Sequence, residues 1–120
     1  MQIIINSDRN ADVGAELVDR LTGQVAAGLD RFSAQVTRVE IHVSHEAAGR
    51  SSGSDIRCTL EARPAGQNPV VVTEHAASIE EAVAGATDKA YRLLESTFGR
   101  QDSRRGADSI RHLEVGEGPT

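Results

Sequence analysis

The sequence predicts a single α+β domain with the element order β-α-β-β-β-α, in which a four-stranded sheet carries two helices on one face. Two long segments, Val13–Phe32 and Ser78–Gly99, repeat apolar residues with the helical period. Between them lie three successive segments of strand character, and strands joined in direct succession favour an antiparallel meander. Because these strands have one apolar face, both helices should cover it and leave the other face open to water. A chain of 120 residues is long enough for one core.

The chain opens with a strand-like run at Gln2–Asn6, which a polar turn at Ser7–Asp12 follows. The first helix should then bury a stripe of apolar residues with helical spacing. The stripe consists of Val13, Leu17, Leu21, Val25, Leu29 and Phe32. Three glycines lie in the same segment, and each costs a helix up to about 1 kcal/mol relative to alanine. Packing must therefore hold this helix in place.

The period changes to two at Thr37, where a half-buried strand begins. A polar loop at Glu46–Ser54 separates it from a second alternating strand, and a turn at Pro64–Asn68 precedes a third strand at Val70–His75. The residues predicted to face the core are Val39, Ile41, Val43, Ile56, Cys58, Leu60 and Ala62. We interpret the single cysteine, Cys58, as a small core residue.

Both ends of the last helix are marked in the sequence. Ser78 and Glu81 have the spacing of a capping box, and Gly99 follows the last turn as a residue suited to a helix end. The predicted buried stripe consists of Ile79, Val83, Ala86, Ala90 and Leu93. After Gly99 the chain is polar and has too few apolar residues for a core of its own. We therefore predict a domain over residues 1–99 and a disordered tail over residues 100–120.

Composition argues against several classes of protein. The formal net charge of −5 disfavours a general polyanion binder, so any nucleic-acid contact should be local. Only three aromatic residues are present, which argues against base stacking as a binding mode. The N-terminus has neither the basic region nor the long apolar run of a signal peptide, and no segment is apolar enough to span a membrane. We expect a cytoplasmic protein with no membrane partner.

Catalytic and metal-binding motifs are not apparent. His42, His45 and His75 lack the compact spacing of a zinc site and are interpreted as solvent-facing residues of the sheet. The serines lie in no nucleophile-elbow motif, and no glycine-rich phosphate loop follows a strand. We therefore expect a non-enzymatic protein without cofactor, metal or small-molecule substrate.

One basic pair stands out on the last helix. Lys89, the only lysine of the chain, and Arg92 are three residues apart on the solvent side. With Asp88 and Glu95 they could equally form a solvated, charge-balanced helix face. The outward rows of the sheet also mix signs, which ion pairs between neighbouring strands would explain without any ligand.

The chain resembles the family of ribosome hibernation promoting factors and the related ribosome-associated inhibitor A. The resemblance spans roughly Met1–Arg100 and rests on the segments QIIIN, TRVEIHVS, DIRCTLEAR, VVVTEHAASIEEAV and ATDKAYRLL, in that order. It implies a fold similar to double-stranded-RNA-binding domains. It also implies a non-catalytic stress and hibernation factor that binds the small ribosomal subunit, where mRNA and tRNA would lie, and modulates or inhibits translation. Lys89 and Arg92 match the basic positions of the family's second helix. Arg20 and Arg31 are the only basic side chains of the first helical segment and complete the set of candidate rRNA-binding residues. The length implies the short form of the family, without a separate dimerisation domain.

An alternative stays open at this point. A divergent member of the family could use the open sheet face or its acidic surface to bind a protein partner in stress regulation. Binding that depends on phosphate should weaken steeply with salt, whereas a protein contact should respond less.

Overall fold

The computed structural model describes the backbone of residues 1–8, 13–45 and 56–113, and side chains as far as residue 99. The elements, in chain order, are β1 (Gln2–Ser7), α1 (Ala15–Gly28), a short 3₁₀ turn (Asp30–Phe32), β2 (Val36–His45), β3 (Ile56–Pro64), β4 (Val70–Ala76) and α2 (Ile79–Leu113). The predicted α+β class and the order β-α-β-β-β-α are confirmed.

The four strands form one mixed sheet in the order β1-β2-β3-β4. β1 pairs with β2 in parallel, since helix α1 crosses over between them, while β2, β3 and β4 pair antiparallel as predicted. Apolar residues meet across the strands: Ile41 lies opposite Leu60, and Leu60 lies opposite Val72. This register places the apolar face of every strand on the same side.

Both helices cover that face, and the core lies between them and the sheet. The inward residues of β2 and β3 are buried as the alternation predicts, and so is the central part of the α1 stripe. The buried apolar residues are Leu21, Val25, Leu29, Phe32, Val36, Val39, Ile41, Val43, Ile56, Cys58, Leu60, Ala62, Val72, Ala82, Val83, Ala86, Ala90 and Leu94. The alanines among them let α2 lie close to the sheet.

The predicted stripe of α2 is wrong at its last position. Leu93 is 46% exposed, whereas its neighbour Leu94 is fully buried. The buried residue that follows Ala90 is Leu94, four positions further on. Four residues advance an α-helix by slightly more than one turn, so Leu94 stays over the sheet. A step of three from Ala90 would rotate the side chain away from the core.

The predicted start of α2 is confirmed, but its predicted end is wrong. The N–H of Glu81 donates to Ser78 Oγ at 3.1 Å, as a capping serine requires. At the other end the helix passes through Gly99 to Leu113. Glycine weakens a helix without ending it, and no proline follows before Leu113. The division into a domain over residues 1–99 and a tail over residues 100–120 stays a prediction, with residues 100–113 continuing the helix.

Some predictions fall outside the described residues. These are part of the turn at Ser7–Asp12, the whole loop at Glu46–Ser54, and the final residues 114–120. In the part of the chain that is described, no helix is both long and apolar enough to cross a membrane.

Candidate nucleic-acid interface

Helices α1 and α2 lie side by side and run in the same direction. Arg20 contacts Glu80 near the start of α2, and Arg31, just after α1, contacts Glu95 further along it. Between these points Gly28 lies so close to α2 that an added Cβ would come within 2.7 Å of Thr87 Cγ2. The pair of helices therefore presents one continuous surface on the side away from the sheet.

An open groove of about 400 Å³ follows the line where the helices meet. Its lining residues are Gln24, Gly28, Ala84, Thr87, Asp88 and Tyr91. The Thr87 hydroxyl turns inward and donates to Val83 O at 2.7 Å, so this buried hydroxyl is satisfied within α2. The groove is bordered by charged side chains at both ends.

At one end of the groove, Arg20 forms an ion pair with Glu80. Both Nε and Nη2 of Arg20 donate to Glu80 Oε2, the former at 2.8 Å. The Arg20 side chain remains 65% exposed. Arg20 thus joins the middle of α1 to the first turn of α2 while keeping most of its surface in water.

At the other end, Arg31 lies in a small aromatic cluster. Its Nη1 donates to Tyr91 Oη and to Glu95 Oε2, each at 3.0 Å, and its guanidinium lies 5.3 Å from the centre of the Phe32 ring. The hydrogen bond to Tyr91 and then that to Glu95 raise the pKa of Arg31 above its usual value. Phe32 packs against Tyr91 and Phe98, so the cluster rests on the core. Arg31 is consequently a fixed cation on this surface.

Arg92 lies on the solvent side of α2 and pairs with Asp88, one turn earlier. The distance from Arg92 Nη2 to Asp88 Oδ2 is 2.7 Å, and the Arg92 side chain is 73% exposed. An acid four residues before a base is the favourable order in a helix. Arg92 is the most exposed of the four candidate cations.

Lys89 points to the other side of α2, toward strand β4. Its Nζ lies 2.7 Å from Glu74 Oε1 and donates to Thr73 O at 2.9 Å, while half of the side chain stays exposed. Glu74 can lie beneath α2 because Gly85 leaves room for it: an added Cβ there would come within 2.6 Å of Glu74 Oε2. The structure therefore places Lys89 on the β4 side of α2, away from the groove between the helices.

Each predicted site residue thus has a carboxylate partner. The charge-balanced arrangement of Asp88 and Arg92 was visible in the sequence as a helical spacing, but the partners Glu80 and Glu74 were missed. Glu80 is 60 residues away from Arg20 in the sequence, so no local pattern indicates the pair. Tyr91 was missed for the same reason.

The other residues that the sequence indicated lie apart from this surface. Cys58 is buried in the sheet as predicted, where burial and then the charge of Glu74 raise the pKa of its thiol to about 12. On the open face of the sheet, Asn6, Glu40, His42, Thr59 and Glu61 line a shallow pocket. Among the described residues no group of three or more His, Cys, Asp or Glu side chains is arranged to hold a metal ion.

The comparisons with known proteins identify the family. Residues 4–101 match the family described as Sigma 54 modulation protein / S30EA ribosomal protein. The chain belongs to this family. The match spans β1 to α2, so it includes both helices of the candidate interface. A search among curated protein sequences found no match.

Two solved structures share the fold of this S30EA family member. The N-terminal domain of Protein Y from Thermus thermophilus is 21% identical, with a TM-score of 0.59 over 78% of this chain and 99% of that one. A ribosomal subunit interface protein from Coxiella burnetii is 11% identical, with a TM-score of 0.65 over 82% of this chain and 99% of the other. At these sequence identities, the two similarities show a shared fold.

Proposed function

We propose that this protein is a non-catalytic, ribosome-associated factor that binds the small ribosomal subunit in the channel for mRNA and tRNA and inhibits translation there. The observation that carries the proposal is the match of residues 4–101 to a ribosomal protein family. The likeness in fold to a protein described as a ribosomal subunit interface protein supports it. The proposed contact surface is the paired helices.

The chemistry of this surface suits phosphate. Arg20, Arg31 and Arg92 are all more than half exposed, and guanidinium groups can hold phosphate oxygens in a two-pronged geometry. Fixed cations on rigid helices recognise the path of an RNA backbone rather than its bases, as in shape-selective RNA binding. Lys89 could add a fourth contact only by leaving Glu74.

The carboxylate partners define how strong such binding can be. Phosphate must replace Glu80, Glu95 and Asp88 as the partner of the arginines, and it approaches these acids as a like charge. Exposed ion pairs contribute only about 0.2–1 kcal/mol each, so the exchange is feasible. We expect moderate affinity with a steep dependence on salt: three phosphate contacts correspond to a log–log slope between about −2 and −3.

The test is binding of purified small subunits by a triple variant, Arg20→Gln, Arg31→Gln and Arg92→Gln. The triple variant should bind more weakly and with a shallower salt slope than the unmodified protein. Arg63→Gln is a matched control, because Arg63 is half exposed and pairs with Glu61 on the sheet instead of the helices. Equal binding by the triple variant and the control would refute the assignment of the helix surface.

A second candidate function is binding of a protein partner in stress regulation. The net charge of −5 favours it, as does the open sheet face, where Glu40 lies directly opposite Glu61. Under this hypothesis the triple arginine variant retains binding, and salt weakens the complex much less.

A further inference from the structure

Strand β4 forms an edge of the sheet. It pairs with β3 on one side, and among the described residues no further strand lies on its other side. Its first half, Val70–Thr73, is an uncharged run of β-branched residues, and Val71 is 56% exposed. An edge of this kind can pair with a strand of another molecule, which folded proteins must prevent.

The hydrogen bonds of the sheet show which backbone groups of β4 point to this edge. The N–H of Asp8 donates to Val43 O at 3.1 Å, so the peptide groups of Val43 point toward β1. Along a strand, the peptide groups of successive residues point to opposite sides. In an antiparallel pair, the peptide groups of two directly opposed residues point either toward each other or away from each other. Val43 lies opposite Cys58, and Cys58 lies opposite Glu74, so the peptide groups of Glu74 point toward β3. Those of Thr73, the preceding residue, must therefore point outward.

Lys89 reaches this outward row. Its Nζ donates to Thr73 O at 2.9 Å, which agrees with the outward direction of that carbonyl. The ion pair with Glu74, at 2.7 Å, holds the ammonium in place, and Gly85 leaves the space in which Glu74 lies. A strand that approached β4 would have to displace a charged, partly hydrated group from the middle of the edge.

We propose that Lys89 prevents the free edge of β4 from pairing with a second copy of this chain. A second copy fits the edge because antiparallel pairing centred on Thr73 would place Val71 opposite His75, and no charges of like sign would face each other. Lysine at an edge is a known means of preventing such pairing. The role needs no nucleic acid and is independent of the proposed function.

The test compares Lys89→Ala with Arg92→Ala by light scattering during size-exclusion chromatography, over a range of protein concentrations. Each variant removes one exposed cation from α2, but Arg92 pairs with Asp88 away from the edge. The Lys89 variant should self-associate with a dissociation constant at least about tenfold lower than that of the control and the unmodified protein. Glu74→Gln keeps Lys89 but removes its ion-pair partner. It should also lower the dissociation constant for self-association, but by less than Lys89→Ala does.

Two further measurements locate the association. Adding Val71→Lys to the Lys89 variant should restore the behaviour of the unmodified protein, because a new charge would then lie on the edge strand. Hydrogen exchange should show the Val71 and Thr73 amides protected only in the associated form. The proposal is overturned if folded Lys89→Ala and Glu74→Gln proteins associate no more than the unmodified protein. It is also overturned if association persists with lysine at position 71.

Discussion

Replacing Gly28 with alanine should destabilise the domain, although alanine is the better helix former. Gly28 is the last residue of α1 and lies against α2. An added Cβ would come within 2.7 Å of Thr87 Cγ2, well inside van der Waals contact. Thr87 is only 6% exposed, and its hydroxyl is bonded to Val83 O, so this side chain has little freedom to move. The helices would have to separate.

The expected change in the free energy of unfolding follows from two opposing effects. Alanine gains up to about 1 kcal/mol of helix propensity over glycine. Overpacking a tight contact costs about 1–3 kcal/mol. Gly23 is a control in the same helix, since nothing lies within 4 Å of an added Cβ there. The two alanine variants should therefore differ by about 1–3 kcal/mol in the free energy of unfolding, Gly28→Ala being the less stable.

Urea denaturation followed by circular dichroism measures this difference, and a thermal melt gives an independent value. Each kcal/mol corresponds to roughly 4–8 °C in melting temperature for a domain of this size. Thr87→Ser removes Cγ2 and keeps the hydroxyl, so in a double-mutant cycle it should recover part of the loss from Gly28→Ala. If Gly28→Ala proves as stable as Gly23→Ala, the close approach of the helices is refuted.

Three further predictions follow from burial and charge. Leu94→Ala should lower the free energy of unfolding by about 2–5 kcal/mol, whereas Leu93→Ala should change it by less than about 0.5 kcal/mol; denaturant titration checks both. The raised pKa of Cys58, about 12, means that only the unfolded chain loses this proton above its usual value of 9.0, so stability should fall from about pH 9 to pH 12 more steeply than in Cys58→Ala. In subunit-binding assays, Asp88→Asn and Glu95→Gln should each strengthen binding up to about fivefold, because an exposed pair is worth about 0.2–1 kcal/mol; unchanged affinity would contradict the proposed competition with phosphate.

The fold could be predicted because its signals are local. Alternation at Val39, Ile41 and Val43 marks a strand with one buried face, and the structure buries all three. The stripe of α1 predicted its buried face in the same way, through Leu21 and Val25. Period and polarity alone therefore indicate which side of β2 and of α1 meets the core.

The misplaced features depend on context that a local pattern lacks. Glycine is common just after the end of a helix, but α2 continues through Gly99. The register of Leu94 on the sheet depends on how α2 lies against it.

The candidate site depends even more on contacts between residues that are far apart in the sequence. Its basic residues could be named from the sequence by resemblance, but the contact of Arg31 with Tyr91 joins residues 60 apart. Such contacts follow from how the helices pack. The direction of Lys89 toward Thr73 likewise depends on the placement of β4 beneath α2.

The measurement that tests the central claim most directly is sedimentation of the protein with small ribosomal subunits through a density gradient near physiological salt. Empty subunits are compared with subunits already filled with mRNA and tRNA, and large subunits are a control. The account predicts that the protein sediments with empty small subunits and is excluded from filled ones. Equal sedimentation with empty and filled subunits, or none with either, would contradict it.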